Sequence, residues 1–99
     1  MQIILYLLIM TLLAHDRSKI HQAVLIFLSE VGRPCGMGKI ERSVWSKSDH
    51  ALDKRAIRKE LPMMLDLGLI KREMHKGIGN IKVEYYRISA KGQSYIDNL

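Results

Sequence analysis

The stretch Leu61–Gly92, LPMMLDLGLIKREMHKGIGNIKVEYYRISAKG, changes its apolar period twice. A helical run of apolar residues stops at Gly68. GLIKREM then reads as a strand led by Leu69, Ile70 and Met74, KGIGN turns, and Ile81, Val83 and Tyr85 alternate down a returning strand. Gly77, Gly79 and Asn80 suit the positive backbone angles of a turn, and Lys76 and Lys82 flank its tip. Ser89 caps a last short helix whose Tyr95, Ile96 and Leu99 are placed to dock on a core. Gly77-Ile78-Gly79 is not a phosphate-binding loop, because it leads from strand to strand and no helix N-terminus follows to receive the anion. The order is helix, hairpin, helix.

Immediately upstream, residues 53–67 predict the helix that feeds the hairpin. Asp53 is its preferred N-cap and Asp49 the alternative. Ile57, Leu61, Met64 and Leu65 recur at i, i+4, i+7 and i+8 and form one buried stripe. Arg55, Arg58, Lys59 and Pro62 fall on the adjoining arc, with Lys54 at its edge in the first turn. Pro62 removes the hydrogen bond to the Arg58 carbonyl and predicts a bend. Lys54 and Arg55 sit at the positive end of the helix dipole, which costs from a few tenths to about 1 kcal/mol. Cations held there at a cost suit a surface that faces phosphates; without the hairpin, an ordinary solvated face would explain them as well.

Further towards the N-terminus, Ser18 is the expected cap of a helix that buries Ile20, Val24, Leu25, Phe27, Leu28 and Val31 and turns His21, Gln22 and Glu30 outward. Gly32 and Pro34 stop it. After a break from Arg33 to Gly38, a second, short helix is expected from Lys39 to about Ser46, with Ile40 and Val44 on one face, Trp45 as a core anchor beside them, and Lys39 and Arg42 outward. SKSDHALD supplies the next turn, with Leu52 as its inward plug.

Composition sets the class of partner. The 99 residues make one small domain without room for a deep catalytic cavity, and Lys and Arg exceed Asp and Glu by 16 to 10, a net charge of +6. Seven of those cations against four acids lie in residues 53–76, so a polyanion is the expected macromolecular partner. The single Cys35 excludes an internal disulfide and suits the cytoplasm; an inert small residue and an exposed redox-sensitive thiol are its two readings. Residues 1–15 are set apart from residues 16–99 as an apolar N-terminal helix. Ile3–Ala14 spans only about 18 Å as a helix against a hydrocarbon core of about 30 Å, and lacks the basic flank and cleavage site of a secretory signal. A packing or dimerisation helix, a membrane-surface anchor, and a start at Met10 are the open readings.

From about Ser18 onward the chain resembles the winged-helix transcription regulators of the MarR-like and PadR-like superfamily. DKRAIRKELPMMLDLGLIKRE is similar to their recognition helix and first wing strand, and YYRISAKG to their closing strand and helix start. The resemblance implies an α+β, mostly α, winged helix-turn-helix with a three-helix core, a hairpin wing over about 70–88 and a short C-terminal helix. It also implies a homodimer on double-stranded operator DNA, with the helix at about 53–67 in the major groove and the wing tip along the adjacent backbone or minor groove. On that basis Lys54, Arg55, Arg58 and Lys59 are the groove residues, Lys76, Asn80 and Lys82 the wing contacts, and Lys39, Arg42 and Ser48 the phosphate contacts.

No catalytic constellation is visible. His15, His21, His50 and His75 are dispersed without metal-ligand spacing, one cysteine cannot complete a zinc site, and no nucleophile motif occurs, so neither enzyme, metal nor cofactor is expected. The expected function is a sequence-specific transcriptional regulator, a repressor, with any effector unspecified. The alternatives are a winged-helix module that binds protein rather than DNA, and a regulator held at a membrane by residues 1–14.

Overall fold

The computed structural model describes the backbone of residues 2–99 and the side chains of residues 17–99. Its elements are α1 (Gln2–Val31), β1 (Cys35–Gly36), α2 (Met37–Lys47), α3 (Lys54–Asp66), β2 (Ile70–Lys76), β3 (Lys82–Ile88) and α4 (Ala90–Asp97). The expected boundary at residues 15 and 16 falls inside α1, and the packing or dimerisation role expected of residues 1–15 lies outside the described side chains.

The helices α1, α2 and α3 pack against one another because each carries an apolar stripe. Val24, Leu25 and Leu28 meet Ile40 and Val44 and then Ile57, Leu61 and Met64, all essentially inaccessible to solvent. Leu52 plugs the turn between α2 and α3 as expected, and Leu65 is only half-buried. The helix α3 continues through Pro62 and ends where Gly68 takes a positive φ of 76°. There the Gly68 amide donates to the Leu65 carbonyl and the Leu69 amide to Met64, a Schellman arrangement that turns the chain straight into β2.

The antiparallel sheet has the order β1-β3-β2. Ile70 pairs with Ile88 and Lys76 with Lys82, so the hairpin closes on a loop of residues 77–81, whose positive φ belongs to Gly79 alone among the three expected turn residues. The strand β1 was not anticipated: Cys35 pairs with Tyr86 and Gly36 with Tyr85, inside the expected break, and two residues are too short to show an alternation. Cys35 is buried at 2% exposure, with its thiol toward the Arg33 carbonyl, which favours the inert reading over an exposed thiol.

Ser89 caps α4 through the Gly92 amide while its hydroxyl donates to the Gly68 carbonyl. Ile96 packs against the core, but Tyr95 and Leu99 remain exposed, contrary to expectation. Two further expectations fail on α1. Ser18 lies within the helix and accepts from Gln22 rather than capping it, and His21 is buried rather than outward.

Candidate nucleic-acid interface

The outward face of α3 follows from its buried one. With Ile57, Glu60, Leu61 and Met64 turned inward, Arg55, Arg58, Lys59, Pro62, Met63 and Asp66 form an exposed stripe at helical spacing. Both flanks of that helix are held by ion pairs that the residue pattern did not reveal. His21 Nε2 donates to Glu60 Oε2 at 2.8 Å and Arg17 Nε to Glu60 Oε1 at 3.0 Å, tying α1 to α3. Burial disfavours the Glu60 charge, but the hydrogen bonds and charges of His21 and Arg17 outweigh it and hold the carboxyl below the usual carboxylate range.

Arg58 bridges α3 to α2. Its Nε and a terminal nitrogen both meet the buried carboxylate of Glu41, the second at 3.1 Å, and that hydrogen bond and charge raise the guanidinium pKa. A buried carboxylate requires such a partner, so Arg58 serves the fold even though its side chain stays 66% exposed. Lys54 bends over Trp45, 4.3 Å from the ring centroid, and His50 stacks on the same indole at 3.7 Å. Trp45 is therefore the platform of the turn as well as a partner of the core. Ser48 also works within the turn: its hydroxyl donates to the Trp45 carbonyl and accepts from the Leu52 amide.

Arg55 and Lys59 on α3, Lys39 and Arg42 on α2, and Lys76, Asn80 and Lys82 on the hairpin are exposed. Lys39 stands beside the wing, in a groove of about 540 Å³ that it shares with Arg33, His75 and Tyr85. All five glutamates are already engaged: Glu30 with Lys47, Glu41 with Arg58, Glu60 with Arg17 and His21, Glu73 with Arg87 and His75, and Glu84 with Arg72. Among the described residues, Lys39, Arg42, Arg55, Lys59, Lys76 and Lys82 have no carboxylate within ion-pairing distance. Internal pairing thus consumes the glutamates and leaves these cations facing solvent.

Residues 22–81, more than half of the chain, match the model of the ribonuclease R winged-helix domain. The chain belongs to that winged-helix family. A solved transcriptional regulator from Clostridium thermocellum is similar in fold, with a TM-score of 0.67 and 18% identity over 83% of this chain and 77% of that one. A second protein named as a transcriptional regulator, from Thermoplasma acidophilum, gives 0.63 and 22% over 77% and 74%. No curated protein matches the sequence significantly. The winged helix-turn-helix expected from the hairpin and its flanking helices is therefore the fold, with α2 and α3 as the helix pair and β2–β3 as the wing. Among the described residues there is no cluster of potential metal ligands, and no helix is long and apolar enough to cross a membrane.

Proposed function

We propose that this winged helix is a sequence-specific double-stranded DNA-binding transcriptional regulator of the MarR-like and PadR-like kind, acting in the cytoplasm as a repressor that occupies a promoter-proximal site. The observation that carries the reading is the set of exposed cations without carboxylate partners on α2, α3 and the wing, in a chain whose glutamates are all spent internally. In this reading Arg55 and Lys59 enter the major groove from the α3 stripe, while Lys76, Asn80 and Lys82 meet the flanking backbone. Lys39 and Arg42 add phosphate contacts. Lys54 and Arg58 take part from positions already braced by Trp45 and Glu41, and Ser48 shapes the turn that presents them.

The role is binding rather than catalysis, and the acting species is a homodimer paired through the N-terminal segment. Selection of bound sequences from a random duplex pool by the full chain tests the reading. Recovery of a common motif is expected, with affinity falling on a log–log salt plot by about 0.9 per phosphate neutralised. Absence of saturable duplex binding at low salt would reject it in favour of a protein-binding module.

A further inference from the structure

The far end of the wing is apolar where a hairpin turn is ordinarily polar. Ile78 is 96% exposed, Ile81 68% and Met74 52%, at the end of a ribbon whose root, at Ile70 and Tyr86, is buried in the core. No acidic residue occurs from His75 to Val83. Lys76 and Lys82 stand directly opposite each other in the strand register, a like-charge pair that disfavours the hairpin. The two wing carboxylates cannot relieve it, since Glu73 is held by Arg87 and His75, and Glu84 by Arg72 and the Tyr86 hydroxyl. The tip is thus an apolar point with a pair of lysines at its base on one face of the ribbon.

The resemblance already brings the wing to the backbone or the minor groove; we infer that this tip acts in the minor groove as a wedge, with Ile78 and Ile81 prying apart a base step while Lys76 and Lys82 hold the adjacent phosphates, and the inference rests on the DNA-binding reading above. A second copy of the tip is a poor occupant, because docking tip to tip would set lysine pair against lysine pair. A duplex groove has the complementary character: anionic rims over a floor of sugars and base edges. At about 6 Å wide it does not admit a two-stranded ribbon with its side chains, so only the tip enters, and apolar side chains that unstack a step open the groove and kink the duplex. Flexible TA and CA/TG steps yield most easily, so selected sites should carry one at a fixed distance from the motif read by α3.

The test uses the full chain and an end-labelled duplex taken from the random-pool selection, with energy transfer reporting the bend and anisotropy the affinity. Wild type should raise the transfer efficiency. Ile78→Ser combined with Ile81→Ser, at exposed positions where the circular dichroism should not change, should straighten the duplex and weaken binding by roughly 10-fold with the salt slope kept. Lys76→Ala combined with Lys82→Ala should instead lower the salt slope by about 2. Wild-type bending and affinity in the isoleucine variant would overturn the wedge while leaving the DNA-binding reading intact. Co-flotation of the wild type with phosphatidylserine vesicles, abolished by Ile78→Ser, would overturn it in favour of a lipid-inserting tip. Loss of all saturable duplex binding by the wild type would strike the DNA-binding reading itself.

Discussion

At position 92 the chain has room for a hydrogen and nothing larger. A Cβ there would run into the Leu69 carbonyl and press on Ile88 and Leu25, so the start of α4 lies directly on the strand that leaves α3. Gly92→Ala should therefore destabilise the fold by roughly 3 kcal/mol, read from urea or thermal unfolding. Gly79 provides the contrast: its φ is 73°, but no atom lies within 4 Å of the added carbon. Gly79→Ala should cost only about 1 kcal/mol, the strain of a left-handed backbone. Both glycines stand in the stretch that decides the fold, yet nothing in the residue pattern separates them; one is required by a neighbour distant in sequence and the other by its own dihedral. Cys35 gives a further check. Buried beside its strand partner Tyr86, it should resist a thiol reagent in the native protein and react in step with urea unfolding.

Among the elements, α3 was the most legible in its sequence and the least legible in what restrains it. Its buried stripe and exposed arc follow from helical period alone, as does the Ser89 cap of α4. Its brackets do not: His21 and Glu60 are 39 residues apart, and Glu41 and Arg58 are 17 apart, so no local pattern links either pair. The same limit explains His21 itself, which reads as a polar residue on a solvated face until Glu60 is placed against it. Glu60→Gln should remove on the order of 1–2 kcal/mol of stability at neutral pH. The folded-state pKa of Glu60 lies below the ordinary carboxyl value of 4.5, so the unfolded chain takes up the proton more readily. The contribution is thus complete above that value and is lost as the pH falls through the folded one. Urea unfolding at a series of pH values should show the wild type and Glu60→Gln converging in acid. Arg55 and Arg58 should separate two roles on one helix. Arg55→Ala should cost about 1–3 kcal/mol of duplex affinity without changing the melting temperature, whereas Arg58→Ala should lower the melting temperature because Glu41 is left without its partner.

For the molecule as a whole, the order of helices and hairpin was enough to identify the winged helix, because each change of apolar period maps onto one element. The two-residue strand β1 and the run of α1 through Ser18 escaped, since a strand that short has no period and serine is tolerated inside a helix when a neighbour such as Gln22 satisfies it. The proposed dimer has its own check: sedimentation equilibrium should give twice the 11.4 kDa chain mass for the full chain and a single mass for a chain begun at Met10. The two ion-pair brackets on α3 carry a last consequence. A helix fastened through Glu60 on its inner face and Arg58 on its outer one leaves its remaining outer residues contributing little to the core. Under the proposed DNA-binding role, Arg55, Lys59, Pro62, Met63 and Asp66 form a short alphabet that can be rewritten, by drift or by design, to address new operators on an unchanged scaffold.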